Sequence, residues 1–195
     1  MNAAVKNILC LFGITLVAGT GLGYVHDITK EPIRIMEEKT KLTAYKSVFP
    51  EADAFEDIDM AGNAVYGDNG CDIDSVSAAK DASGNDIGYV INVTSHEGYG
   101  GDITVSMGID NEGTVKGIEL LKISETAGLG MKAKEPAFKD QFKDKNVTQF
   151  AYTKTGATSD FEIDAISGAT ITTKAVTNAV NAGIEYYAVL GGGNR

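Results

Sequence analysis

Eighteen consecutive residues near the start of the chain, Ile8 to Val25 (ILCLFGITLVAGTGLGYV), carry no charged side chain. About 20 apolar residues in a helix span the hydrocarbon core of a bilayer. A short stretch with one charge, Lys6, precedes the run, so it reads as an uncleaved anchor, a cleaved signal sequence or a buried core helix. No cleavage site of the A-x-A type stands around Ala18 to Tyr24, and Cys10 lies too early for lipid attachment. The uncleaved anchor is therefore the leading expectation. Lys6 and the amino terminus on one flank, against His26, Asp27 and Lys30 on the other, favour an amino terminus on the cytoplasmic side. The remainder of the chain then lies outside the cytoplasm.

All 27 acidic residues follow the run, and the net charge is −10. Clustered Lys and Arg are what neutralise phosphates, so a nucleic-acid partner is not expected. The charge reads as a solubilising surface. The two cysteines, Cys10 in the apolar run and Cys71 in what reads as a polar loop, are not placed to form a disulfide. With two histidines and no C-x-x-C, the chain is expected to hold no metal, no iron–sulfur cluster and no c-type haem. His96 beside Glu97 reads as a loop residue rather than a base.

Lys30 to Val48 places Ile33, Ile35, Met36, Leu42, Tyr45 and Val48 among charges, as a helix leaving the membrane would, with Pro32 in its first turn and Pro50 ending it. Glu51 to Asn85 reads as an irregular connector with room for a short strand. Ile87, Tyr89, Ile91 and Val93 then alternate with small or polar residues, as in a strand with one favoured face. After Gly98-Tyr99-Gly100-Gly101, a second alternation runs through Ile103, Val105, Met107 and Ile109. Asp110-Asn111-Glu112-Gly113 turns the chain into a third strand, Thr114 to Ile123. Three such strands make an antiparallel meander whose apolar face needs a cover. Two helices are candidates: Glu135 to Phe142, with Phe138 and Phe142, and Thr173 to Leu190, with Val176, Val180, Ile184 and Tyr187 on one face. Gly191-Gly192-Gly193 stops the second helix.

The chemistry is expected at Asp164-Ala165-Ile166-Ser167-Gly168-Ala169-Thr170-Ile171-Thr172, where a loop of hydroxyl and small side chains runs into a helix. Small residues let a bulky group approach the backbone. Unpaired amides near Thr172 and Thr173, at the helix start, suit a phosphate. The tyrosines Tyr89, Tyr99, Tyr152, Tyr186 and Tyr187 read as packing residues, with a place for one of them beside a bound ring as the alternative. No G-x-G-x-x-G follows a strand, and no acid–base pair for a substrate of the chain's own is visible, so no catalytic residue is expected.

This loop resembles the FMN-binding domain shared by the G subunit of the Rnf complex and the C subunit of the sodium-pumping NADH:quinone oxidoreductase. The pattern D-x-x-S/T-G-A-T stands complete as Asp164, Ser167, Gly168, Ala169 and Thr170. A second stretch, Ile118 to Gly130, resembles the family segment ending ETPGLG, with Glu125, Thr126, Leu129 and Gly130 at matching positions and Ala127 in place of Pro. Gly98-Tyr99-Gly100-Gly101, Gly108-Ile109-Asp110 and the single anchor extend the likeness over most of the chain.

The resemblance implies FMN joined through its phosphate to the Thr170 hydroxyl by a flavin transferase that uses FAD as donor. It casts Asp164 as part of what the transferase recognises, Ser167 as a contact near the phosphate, and Glu125 to Gly130 as a wall against the isoalloxazine ring. The patterns along the chain give an α+β fold: a single transmembrane helix (1–26), a juxtamembrane helix and connector (27–84), an antiparallel-sheet domain packed with helices (85–190), which the resemblance makes FMN-binding, and a tail (191–195). The expected function is electron carriage in a membrane complex coupling ferredoxin:NAD electron transfer to sodium-ion or proton export. Other membrane and iron–sulfur subunits would be its partners. A C-type subunit of the quinone reductase, a stand-alone extracytoplasmic flavin protein, and an anchored binding module without flavin remain the alternatives.

Overall fold

The computed structural model describes residues 3–60 and 70–192. Two compact units divide the chain, 1–41 and 42–195.

Helix α1 (Ala3–Val48) is continuous from the apolar run to its end. In the first unit, Ile8, Leu11, Phe12, Ile14, Val17 and Leu22 stand exposed, and the helix is long and apolar enough to cross a membrane. Its hydroxyls are satisfied internally: Thr15 donates to the Leu11 carbonyl at 3.1 Å and Thr20 to that of Leu16 at 2.8 Å. A bilayer demands this, because it supplies no water to pair a polar group. The expected separate helix beginning near Lys30 is not present, since Pro32 lies inside α1. A proline in a helix interior removes one hydrogen bond and costs about 3 kcal/mol. Around it Arg34 pairs with Glu31 and Glu38, each at 2.6 Å, supplying the i,i+3 and i,i+4 contacts that support a helix there.

The second unit is built on a five-stranded antiparallel sheet in sequence order. The strands are β1 (Ala54–Ile58), β2 (Cys71–Lys80), β3 (Asp86–Ser95), β4 (Ile103–Asp110) and β5 (Val115–Lys122). The last three are the expected meander, whereas β1 and β2 fall in the stretch expected to be an irregular connector, of which 61–69 lie outside the described residues. β2 escapes pattern reading because Ser75, Ser77, Ala78 and Ala79 are poor strand formers and a register shift between Ile73 and Ser75 breaks the alternation. A second shift, between Ala79 and Lys80, has the same effect on the partner strand. Ile91 and Val93 face the main core, but Ile87 packs with Tyr45, Phe49 and Val90 on the opposite side. Cys71, expected in a polar loop, opens β2 and is buried.

Both faces of the sheet are covered. The end of α1 places Tyr45, Val48 and Phe49 on one of them. On the other lies α3 (Thr170–Tyr187), whose Val176, Val180, Ile184 and Tyr187 are buried as the spacing requires. Each fully buried aliphatic or aromatic side chain of this kind stabilises by about 1.5–3 kcal/mol. The expected helix Glu135–Phe142 is instead two short pieces, α2 (Pro136–Lys139) and a 3₁₀ turn (Asp140–Phe142), preceded by another 3₁₀ turn (Gly130–Lys134). Its two phenylalanines are nevertheless buried, with ring centroids 5.6 Å apart, and Phe142 meets Phe150 at 5.0 Å.

Two short parallel strands, β6 (Ala151–Thr153) and β7 (Glu162–Asp164), lead toward α3. Asn181 on α3 takes the Phe150 N–H at 2.7 Å and donates to its carbonyl at 2.9 Å, so a side-chain amide replaces a missing neighbouring strand. A π-helical turn, Ala188–Gly192, follows α3. Gly193 and the rest of the expected tail lie outside the described residues.

Candidate functional site

Between β7 and α3 the chain makes a four-residue turn, closed by the Ala169 N–H donating to the Ile166 carbonyl at 2.9 Å. Gly168 occupies its third position at φ +78°, a left-handed conformation that a side chain resists. Ile166 and Ala169 point into the core while Ser167 and Gly168 are exposed. Thr173 reaches back over this turn. Its hydroxyl accepts the Ile166 N–H at 3.0 Å and donates to the Ala169 carbonyl at 3.0 Å. Helix α3 therefore starts at Thr170, three residues ahead of the expected start, and Thr170 belongs to its first turn. The N-cap is Ala169, whose side chain has no acceptor to offer the first amides. Those N–H groups and the positive end of the helix dipole remain available to an anion.

The second wall comes from the segment after β5. Glu125 is only 8% exposed, and its Oε1 accepts the N–H groups of Tyr99 at 2.8 Å and Gly100 at 3.2 Å. Such charge-assisted bonds contribute about 1.5–3 kcal/mol each and offset the burial of the carboxylate. The N–H groups of Leu129 and Met131 both donate to the Thr126 carbonyl, curling the segment back toward α3. At Gly130 a Cβ atom would lie 2.6 Å from Thr172 Oγ1 and 2.7 Å from Glu125 Oε2. Only glycine lets the segment seat against the first turn of the helix.

The two segments enclose a cavity of about 580 Å³. One contributes Glu125, Thr126, Leu129 and Gly130, the other Gly168, Ala169, Thr170, Ile171 and Thr172, and Tyr99 stands at the rim. Ser167 and Asp164 are not among its lining residues. Asp164 sits in a separate open polar depression with Gln141, Thr158 and Glu162. There its Oδ1 accepts the Ala157 N–H at 2.6 Å and its own N–H donates to Gln141 Oε1 at 2.6 Å.

Reading by residue type gave one cavity residue, Tyr99, another role, while Ile171 and Thr172 stand at the end of the stretch where the chemistry is expected. Tyr99, expected to be a packing residue, is 71% exposed; Tyr152 is also partly exposed, while Tyr186 and Tyr187 are buried. Gly-Tyr-Gly-Gly was the available signal, since flanking glycines leave an aromatic ring without packing neighbours. Ile171, exposed, and Thr172, buried, follow from the helix starting at Thr170.

The loop bearing Tyr99 is fastened twice more. Glu97 pairs with Lys174 at 3.0 Å and accepts from Asn178 at 2.7 Å, both on α3, and these contacts, Lys174 foremost, hold its carboxyl below the usual range. His96 lies between Asp72, 3.0 Å from Nε2, and Asp102, 2.9 Å from Nδ1, with Asp74 close by. Burial pushes the Cys71 thiol up, away from the reactive thiolate form. Among the described residues no group of three or more His, Cys, Asp or Glu is placed to hold a metal ion.

Residues 98–185 match the family described as FMN-binding domain. The G subunit of the Na(+)-translocating ferredoxin:NAD(+) oxidoreductase complex of Acetobacterium woodii is 33% identical over 186 residues, covering 92% of this chain and 89% of its own. The G subunit of the ion-translocating oxidoreductase complex of Methanosarcina acetivorans is 32% identical over 182 residues, 93% of each chain. Among solved structures, the C subunit of the Na(+)-translocating NADH-quinone reductase from Parabacteroides distasonis is similar at 26% identity and a TM-score of 0.50. That match spans 58% of this chain and 60% of that one.

Hydrogen bonds donated by His96 to Asp72 first, and to Asp102, raise the His96 pKa above its ordinary 6.5. A folded-state value above the unfolded one means that the doubly bonded imidazolium stabilises fully below pH ~6.5 and loses its contribution as pH rises through the raised value. The difference in thermal midpoint between wild type and His96→Gln should therefore be largest near pH ~5.5 and fade by pH ~9. A difference constant over that range would rule out the charged clasp.

Proposed function

Because the chain belongs to the family of G subunits of ion-translocating oxidoreductase complexes, we propose that it is the electron-carrying flavoprotein subunit of such a complex, with FMN joined covalently to Thr170. The observation that carries this reading is the convergence of the two motif segments, Glu125 to Gly130 and Gly168 to Thr172, on one cavity at the start of α3. Sequence similarity to G subunits extends over more than nine-tenths of the chain, against 58% for the structural likeness to a C-type subunit, which favours the G-type reading.

The residues present fit FMN. A cavity of about 580 Å³ lies within the ~300–1,000 Å³ usual for small-molecule sites. Leu129, Ile171 and Tyr99 offer apolar surface to a flat ring, and the amides opening α3 offer hydrogen bonds to a phosphate. When bound, FMN supplies the electron-accepting and electron-donating chemistry, and the chain orients it. Thr170 holds the phosphate end through its oxygen, and Glu125 braces the Tyr99 loop from beneath.

Attachment consumes FAD. The Thr170 oxygen bonds to the phosphorus on the riboflavin side, the phosphoanhydride bond breaks, AMP leaves and the hydroxyl proton is released. A flavin transferase performs this step, and Asp164, outside the cavity, belongs to the surface it reads. The related subunits are named as parts of complexes that translocate sodium or other ions, in the first case with ferredoxin:NAD(+) oxidoreductase activity. In that setting this chain relays electrons between carriers on membrane and iron–sulfur partner subunits. Helix α1 anchors it with the amino terminus in the cytoplasm and the flavin domain outside.

Three outcomes test this reading. Thr170→Val should abolish covalent flavin, seen as loss of the FMN mass and of fluorescence in the denatured band, while stability changes by no more than about 0.5 kcal/mol; FMN found on Thr172 or Thr173 would refute the assignment. Asp164→Asn should lower loading by the transferase far more than it lowers the thermal midpoint, and equal loading would remove Asp164 from the recognised surface. In sealed right-side-out spheroplasts, added protease should release the flavin-bearing domain; cleavage confined to inverted vesicles would place it in the cytoplasm.

A further inference from the structure

We propose that Thr173 is a positioning residue for the modification of Thr170: its side chain clamps the Ile166–Ala169 turn so that one hydroxyl of the helix start, and not its neighbours, is presented for flavin transfer. The inference rests on Thr170 being the FMN acceptor.

Three threonines open α3, and the fold gives each a different fate. Thr173 is 0% exposed and its hydroxyl is engaged on both sides, accepting from Ile166 and donating to Ala169. Thr172 is buried against the Gly130 segment. Thr170 alone is partly exposed, at the mouth of the cavity. The Thr173 hydroxyl cannot itself be the nucleophile, nor can so buried a group touch the transferase. What it does is join the amide at the beginning of the turn to the carbonyl at its end. Those two atoms bracket the exposed pair Ser167 and Gly168, and the second of them belongs to the residue that directly precedes Thr170. Among the described residues, the only other backbone tie across the turn is the bond from Ala169 to Ile166. Without the hydroxyl, the Ile166 N–H loses its partner and the turn is held to α3 only through the Thr173 N–H, which donates to the Ala169 carbonyl at 3.0 Å, so its position ahead of Thr170 is less firmly fixed.

The step affected is the transfer itself: the bond from Thr170 Oγ to the riboflavin-side phosphorus of the flavin dinucleotide forms, the phosphoanhydride bond breaks, adenosine monophosphate departs, and the proton passes to a base of the transferase. No oxidation state changes. A displacement near 1 Å can slow such a step by up to about a hundredfold. Docking is a separate matter, because Asp164 lies outside the turn in its own depression.

The test uses the full chain purified without flavin, with purified transferase and FAD, following FMN incorporation by intact mass and mapping the modified peptide. Thr173→Val, which keeps the branched shape but not the hydroxyl, should lower kcat for transfer roughly tenfold or more with KM for the acceptor chain unchanged. Thr173→Ser, which restores the hydroxyl, should stay within about threefold of wild type. Unfolding midpoints fix an assay temperature at which all chains are folded, and Thr173→Ala takes the place of the valine variant should the latter not fold. Wild-type kcat in the hydroxyl-less variant, or a serine variant as slow as it, overturns the clamp. A wild-type chain modified elsewhere than Thr170, or not at all, removes the acceptor assignment and the clamp with it, so the two failures are distinguishable.

Discussion

The approach of Gly130 to the first turn of α3 is the contact on which the site depends. Two segments far apart in the chain must meet there without a side chain between them, since a Cβ would collide with both Thr172 and Glu125. Once they meet, Glu125 is sealed from water and its carboxylate must find donors, which it takes from the amides of Tyr99 and Gly100. The third wall of the cavity is thereby fixed by the first two. A glycine, a buried acid and a glycine-rich loop thus form one unit, and the cavity is the space they cannot fill.

The parts of this site that were legible in the sequence are those dictated by local backbone chemistry. Gly168 is required by a positive φ, and Ala169 by burial beside the turn, so the motif reads the same in the chain as in space. The meander β3 to β5 was legible for a similar reason, because period-two alternation survives wherever one face is buried. What could not be read depends on partners distant in sequence. Tyr99 looks like any packing tyrosine until Glu125 is seen to hold its amide. Strand β2 is written in serine, alanine and aspartate, and gains its place from neighbours rather than propensity. The start of α3 escapes pattern reading because Thr173, not a residue at the N-cap, supplies the side-chain bonds that end the turn.

In the proposed reading, covalent attachment and an extracytoplasmic location would support one another physically. A ligand held by affinity alone leaves when its free concentration falls well below its Kd. The proposed ester bond to Thr170 would make occupancy independent of supply, and the amides of α3 would then need only to orient the phosphate. A flavin held in that way would not need full enclosure, and Tyr99 stands exposed at the rim of the cavity. Openness is an advantage to a carrier that must exchange electrons with partner subunits.

Cys71 opens β2 beneath the main core, 1% exposed. A thiol on the surface of a protein in an oxidising compartment would invite mixed disulfides with small thiols and cross-links between copies, since exchange requires an accessible thiolate. Here burial withholds both the access and the ionisation. The Cys71 thiol of the folded domain is therefore withheld from thiol–disulfide exchange, whatever the redox poise around it.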